Sequence, residues 1–162
     1  MRRALALALL LAGCAKPAAP AASDSPGARL EAAAVSAGLV ADPAGSIAGS
    51  WARGTDRLCV MGSGATATRV GALVDYGEGQ SCAASGTLRR SGSRLDMVFG
   101  DCRIRAIFDG ERIVLPPEVP PECDAVCGGR ASLAAMAVDR VSASLAEAAT
   151  LHDGAGRALC GG

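Results

Sequence analysis

Residues 84–115 read ASGTLRRSGSRLDMVFGDCRIRAIFDGERIVL. Apolar and polar side chains alternate through this stretch with a period of two, which is the spacing of a half-buried strand and not of a helix. Ser91-Gly92-Ser93 breaks the alternation once and Asp109-Gly110 breaks it again; both are hairpin turn signals. A two-residue loop at Ser91-Gly92 sets Leu88 opposite Leu95, Gly86 opposite Met97 and Ala84 opposite Phe99, so the apolar groups share one face. The same register sets Arg89 opposite Arg94. Beyond it, Ile104, Ala106 and Phe108 share a face with Ile113 and Leu115, while Arg103, Arg105 and Arg112 point the other way. Leu95, Met97 and Phe99 are odd-numbered, whereas the next apolar set is even-numbered. The pleat therefore slips by one residue between them, and Gly100-Asp101 sits at the slip as a bulge or tight corner.

Working outward, Arg57–Met61 and residues 68–76 are two further strands. The prolines of Pro116-Pro117-Glu118-Val119-Pro120-Pro121 end the sheet, because no ladder tolerates four prolines in six residues. Leu133, Ala137, Val141, Leu145 and Ala148 then recur at helical spacing and predict a helix near 130–149; Val138–Ser144 also reads as an alternating strand. Arg157–Cys160 is a candidate last strand. The expected fold is mainly β (α+β): a small antiparallel meander or partly open barrel with one or two flanking helices, held by disulfides.

Composition explains why cross-links are expected. Of the 162 residues, 35 are alanine, and the aromatics are only Trp51, Tyr76, Phe99 and Phe108. Large apolar side chains supply most of the burial free energy of a core, at ~1.5–3 kcal/mol each, and this chain has few. It has seven cysteines.

One of those cysteines stands apart. Met1-Arg2-Arg3 is a basic start, and Ala4–Ala12 is an apolar run far shorter than the ~20 residues of a membrane-spanning helix. Charge, a short apolar core and then small residues form a secretory signal. The run ends Leu11-Ala12-Gly13-Cys14, which resembles the lipobox of bacterial lipoproteins. That resemblance implies removal of a signal peptide, residues 1–13, and fatty acylation at Cys14, palmitate among the chains. It also implies anchoring in a membrane. Ala15 rather than aspartate after the cysteine implies the outer membrane, with the domain facing the periplasm. Residues 14–25 read as a lipidated flexible tether. Residues 26–48 form a short helix and linker, with Ser25 as N-cap, Pro26 at the first helical position and Gly38 at the C-terminal cap. Residues 49–162 form the β-rich domain.

The six remaining cysteines, Cys59, Cys82, Cys102, Cys123, Cys127 and Cys160, make an even set in an exported chain and read as three disulfides. Cys82 with Cys102, Cys59 with Cys160, and Cys123 with Cys127 are the expected pairs. A zinc site around Cys123 and Cys127 is disfavoured by oxidising export, and no metal or cofactor is expected.

Candidate chemistry is sparse. His152, the only histidine, adjoins Asp153, but no serine sits in a Gly-x-Ser-x-Gly elbow. The carboxylate pairs Asp75/Glu78 and Glu118/Glu122 flank turns and prolines, so their spacing fixes no shared geometry. A non-catalytic protein is expected. Removing Arg2 and Arg3 leaves 14 basic against 16 acidic residues, and a near-neutral domain with few aromatics is a poor nucleic-acid binder. Arg89, Arg94, Arg103, Arg105 and Arg112 form a candidate face for an anionic partner: lipid headgroups, an envelope polymer or an acidic protein edge. Finally, Gly49-Ser50-Trp51 resembles the Gly-x-Trp that opens the first strand of lipocalin-like barrels and of small periplasmic protease-inhibitor barrels. This implies, as a second functional reading, an inhibitor of a periplasmic protease or lysozyme-like hydrolase.

Overall fold

The computed structural model describes residues 25–62 and 68–161. The expected signal peptide, Cys14 and the expected tether through residue 24 lie outside the described residues. The chain divides into two compact units, residues 1–40 and 41–162.

In the first unit, helix α1 spans Pro26–Ser36. Ser25 Oγ accepts a hydrogen bond from the Ala28 amide at 3.1 Å, satisfying one of the donors orphaned at a helix start. Gly38 adopts φ +69°, and the Gly38 and Leu39 amides return to the carbonyls of Val35 and Ala34. Both predicted caps are thus present.

In the second unit, eight antiparallel strands close into a barrel in chain order. They are β1 Gly49–Arg53, β2 Asp56–Met61, β3 Thr68–Asp75, β4 Ser81–Ser91, β5 Arg94–Phe99, β6 Cys102–Phe108, β7 Arg112–Val114 and β8 Ala137–Ser142. Each pairs with the next, and β8 returns to pair with β1. The barrel is closed, where the sequence left it partly open. Gly49 explains the tightness of the seam: its φ is +124°, and a Cβ there would lie 1.9 Å from the Ser142 carbonyl oxygen.

The region near 130–149 is not a continuous helix. Residues 137–142 are the closing strand, and only Leu145–Ala148 is helical, as the single turn α2 capped by Ser144. An isolated β7 would leave one edge unpaired. Segment 137–142 supplies hydrogen-bonding partners to both β7 and β1, and that tertiary pairing overrides the helical spacing of Leu133, Ala137, Val141, Leu145 and Ala148.

Two registers differ from the sequence expectation by two residues. Leu88 stands opposite Met97 and Arg90 opposite Leu95, with Gly92 and Ser93 as the turn. Phe108 stands opposite Ile113 and Ile107 opposite Val114. A slip of two keeps every side chain on its own face, so alternation cannot detect it. Turn chemistry decides it instead: Gly92 has φ +62° and takes the first central position, where a II′-type turn requires glycine. At the second hairpin Asp109 Oδ1 accepts from the Glu111 and Arg112 amides and stabilises a longer loop. The pleat slip falls where expected, as a two-residue turn at Gly100-Asp101 with Phe99 opposite Cys102.

The interior is filled. Trp51, Leu58, Val60, Val70, Leu88, Leu95, Met97, Phe108 and Ile113 are all fully buried. Eight strands enclose a space just wide enough for such side chains. A smaller cluster of Cys59, Ala148, Leu159 and Cys160, flanked by Leu73, Ala83 and Leu151, lies outside the barrel wall under the C-terminal segment. Ser85 Oγ donates to the Leu159 carbonyl at 2.7 Å and helps hold that segment down. Residues 157–160 make one isolated bridge, Ala158 with His152, and no strand.

Candidate functional site

Both ends of the barrel are shut. At one end, the segment before β1 places Ile47, fully buried, in the mouth. Two arginines hold it there. Arg90 donates to the carbonyls of Pro43 and Gly45 at 2.5 Å each and stacks on the Phe108 ring at 4.9 Å. Arg140 donates to the carbonyls of Ala48 (3.1 Å) and Ser46 and stacks on Trp51 at 4.1 Å. The Trp51 indole N–H donates to the Ile47 carbonyl at 3.0 Å, and its ring meets Phe108 edge-on at 5.7 Å. Burial pushes the Arg140 guanidinium below its ordinary value, yet an arginine stays charged at any physiological pH. Outside this plug lies a depression of about 690 Å³ lined by Asp42, Ser46, Glu111, Asp139 and Arg140.

At the other end, the β7–β8 connection crosses the barrel as a 3-10 helix, Pro121–Val126. Two disulfides fasten it to the wall: Cys82–Cys127 to β4 and Cys102–Cys123 to β6. The expected pairs Cys82–Cys102 and Cys123–Cys127 are therefore not formed. Strands β4 and β6 are separated by β5, and Cys102 is level with Gly86 through Phe99, so Cys82 lies two strand spacings across, ~9.5 Å, and four residues along, a further ~13 Å. That exceeds the span a disulfide bridges. The expected Cys59–Cys160 bridge is present and pins the C-terminal segment to the outer face of β2. With all six sulfurs in disulfides, none serves a metal, and no group of three or more His, Cys, Asp or Glu side chains converges among the described residues.

The side chains of His152 and Asp153 turn to different partners. His152 Nδ1 lies 2.5 Å from the Thr150 carbonyl oxygen. The Asp153 carboxylate instead accepts from the Ala155 and Arg157 amides and from Arg157 Nε. These bonds hold Asp153 below the usual carboxylate range, the contacts with Arg157 contributing most. It is a turn-closing group.

The five arginines singled out in the sequence do share a surface. All lie exposed on the outer wall of β4–β7. Arg89 faces Asp96 and not Arg94, and Asp96 also faces Arg105 across the next strand. The Asp96–Arg105 ion pair is 3.4 Å long. Arg112 is committed elsewhere: with Arg53 it clamps Asp139 at 2.9 and 2.8 Å. Hydrogen bonds from Arg112, then Arg53, hold Asp139 below the usual carboxylate range. Arg94 faces Ile107 and Arg103 faces Val98, and among the described residues neither has an acidic partner at salt-bridge distance.

Sequence reasoning missed Arg90, Arg140 and Asp139. Arg90 carried a signal: it is in phase with Leu88 and Ala84, so it points inward at the end of a strand. Arg140 carries the same signal relative to Val138, once residues 137–142 are read as a strand. A small cleft of about 230 Å³ also lies between α2 and the outer face of β1 and β2; the Ser50 hydroxyl is buried there with no hydrogen-bond partner.

Comparison of the chain with family models, curated proteins and solved structures gives no match.

Proposed function

We propose that this chain is a lipid-anchored protein of the bacterial outer membrane, facing the periplasm, whose barrel works by binding and not by catalysis. One observation carries the binding reading: the interior is packed and both mouths are closed, so a partner of the barrel meets it on its exterior. The arginine-rich wall of β4–β7 is the most chemically distinctive part of that exterior. The anchoring reading stands on Leu11-Ala12-Gly13-Cys14. Mass spectrometry of the mature amino terminus tests it, with an acylated Cys14 expected; an intact Met1 or an unmodified Cys14 refutes it. Envelope function unchanged by His152→Ala is the corresponding expectation for a non-enzyme.

A second reading, inhibition of a periplasmic protease or lysozyme-like hydrolase, is favoured by Gly49-Ser50-Trp51 standing in the first strand of a closed eight-stranded barrel. The filled interior suits an inhibitor-type barrel better than a lipocalin, which needs a ligand cavity. Assay of the mature chain against a panel of such hydrolases decides it; no inhibition removes the class.

A further inference from the structure

We infer that the β5–β6 wall lies on an anionic bilayer surface, with Arg94, Arg103 and Arg105 at the lipid phosphates and Ile107 entering the headgroup layer. This deepens the proposed function by naming the partner of the arginine face, and its orientation relative to the cell rests on the lipid-anchor reading.

Three observations favour a bilayer over other anionic partners. The first is charge. Arg89, Arg94, Arg103 and Arg105 surround a single carboxylate, Asp96, on adjacent strands. The remaining acids nearby, Asp101, Asp109 and Glu111, lie at the turns that end these strands. A chain with 14 basic and 16 acidic residues after processing thus concentrates positive charge on one wall.

The second is the apolar row beside those arginines. Arg94, Ile107 and Val114 follow one another across β5, β6 and β7, and Ile107 and Val114 are 50% and 38% exposed. Exposed aliphatic side chains among arginines suit an interface that offers phosphates and hydrocarbon side by side. An anionic polysaccharide has no use for them.

The third is shape. Successive strands of an eight-stranded barrel turn by about 45° around its axis, so this wall is convex. It has no groove for a peptide, and β5, at its centre, is laddered on both sides along its length, so an added strand has no edge at Arg94 or Asp96 to pair with. A flat surface touching the wall along β5 and β6 meets Arg94, Arg103, Arg105 and Ile107. Arg89 and Val114 then sit at the rims, and Arg112 stays with Asp139.

The test uses the mature polypeptide, residues 14–162 with Cys14→Ser, so that no acyl chain is attached and the wall alone can hold it to lipid. It is co-sedimented with vesicles of phosphatidylcholine alone and of phosphatidylcholine mixed with phosphatidylglycerol. Binding is expected only to the anionic vesicles and should weaken steeply with salt. Arg103→Ser with Arg105→Ser should reduce the partition coefficient about fivefold per arginine, or roughly 25-fold, from ~1 kcal/mol for each cation near such a surface. Arg29→Ser with Arg130→Ser removes the same charge from exposed positions elsewhere and should change binding little. Equal loss in both double variants, equal binding to both vesicle types, or no binding at low salt overturns the inference. The salt dependence of the unsubstituted chain stands as evidence even if a variant fails to fold. Failure here leaves the anchor untouched, because that reading is decided separately by the chemistry of Cys14.

Discussion

The three disulfides nest inside one another, and this sets a ranking that can be measured. Cys59–Cys160 spans 101 residues, Cys82–Cys127 spans 45 within it, and Cys102–Cys123 spans 21 within that. A cross-link stabilises chiefly by removing loop entropy from the unfolded chain, and the effect grows with the logarithm of loop length. Each inner bridge short-circuits the outer loop, leaving effective loops of roughly 56 and 24 residues for the outer two. The corresponding costs of removal are ~4 kcal/mol for Cys59–Cys160 and a closely similar ~3.5 and ~3.3 kcal/mol for Cys82–Cys127 and Cys102–Cys123. Each pair is replaced by alanine, since all but Cys127 are buried. Unfolding in urea is followed by far-ultraviolet circular dichroism and by the emission of Trp51, the sole tryptophan. At ~4 °C per kcal/mol for a domain of this size, the Cys59/Cys160 variant should melt roughly 15 °C lower. A reversed ranking would refute the entropic reasoning and point to local packing. So would an unmoved Trp51 transition with new protease cleavage in 144–160, because removal would then merely have released the C-terminal segment.

Two other expectations concern the arginine and carboxylate anchors. Arg140→Leu removes the hydrogen bonds to the Ser46 and Ala48 carbonyls and the contact with Trp51; a loss of ~2–3 kcal/mol in urea unfolding and a shifted Trp51 emission are expected, and an unchanged emission would refute the mouth geometry. Asp153→Asn should destabilise the protein at neutral pH. The carboxyl of Asp153 is held below its unfolded value, so its contribution is complete above about pH 4 and is lost as pH falls through the lower folded value. Melting curves of the two proteins should therefore converge in acid, and a gap that persists there would contradict the assignment.

The alternation in 84–115 was sufficient to read the meander, its inward face and its pleat slip, because a strand's period of two is a local property of the chain. Register was not legible from that alternation, since slips of two residues leave both faces intact. The closing strand was legible only as the alternative reading of Val138–Ser144, beside the helical spacing of the same region. Ala137–Ser142 takes its conformation from β1 and β7, which are 87 and 27 residues away at the paired positions Ala52/Asp139 and Arg112/Asp139, and no local pattern reports which strands will be its partners. The candidate site divides the same way. Parity along the strands put the five arginines on one wall, but the pairing of Arg89 with Asp96 and the diversion of Arg112 to Asp139 depend on which strands are neighbours.

The sequence by itself determined that the domain is antiparallel β and that six cysteines form its cross-links, and Leu11-Ala12-Gly13-Cys14 supplies the resemblance on which the anchor proposal rests. These follow from periodicity, parity and short contiguous motifs. Only the tertiary structure decided that the barrel closes, that Ile47, Arg90 and Arg140 shut one mouth, and that Cys82 and Cys102 each reach a 3-10 helix across the other. Those outcomes depend on distances between segments remote in sequence. An intervening strand and a four-residue offset along it separate Cys82 from Cys102 by more than a disulfide can span, although their positions around the hairpin make them look like partners.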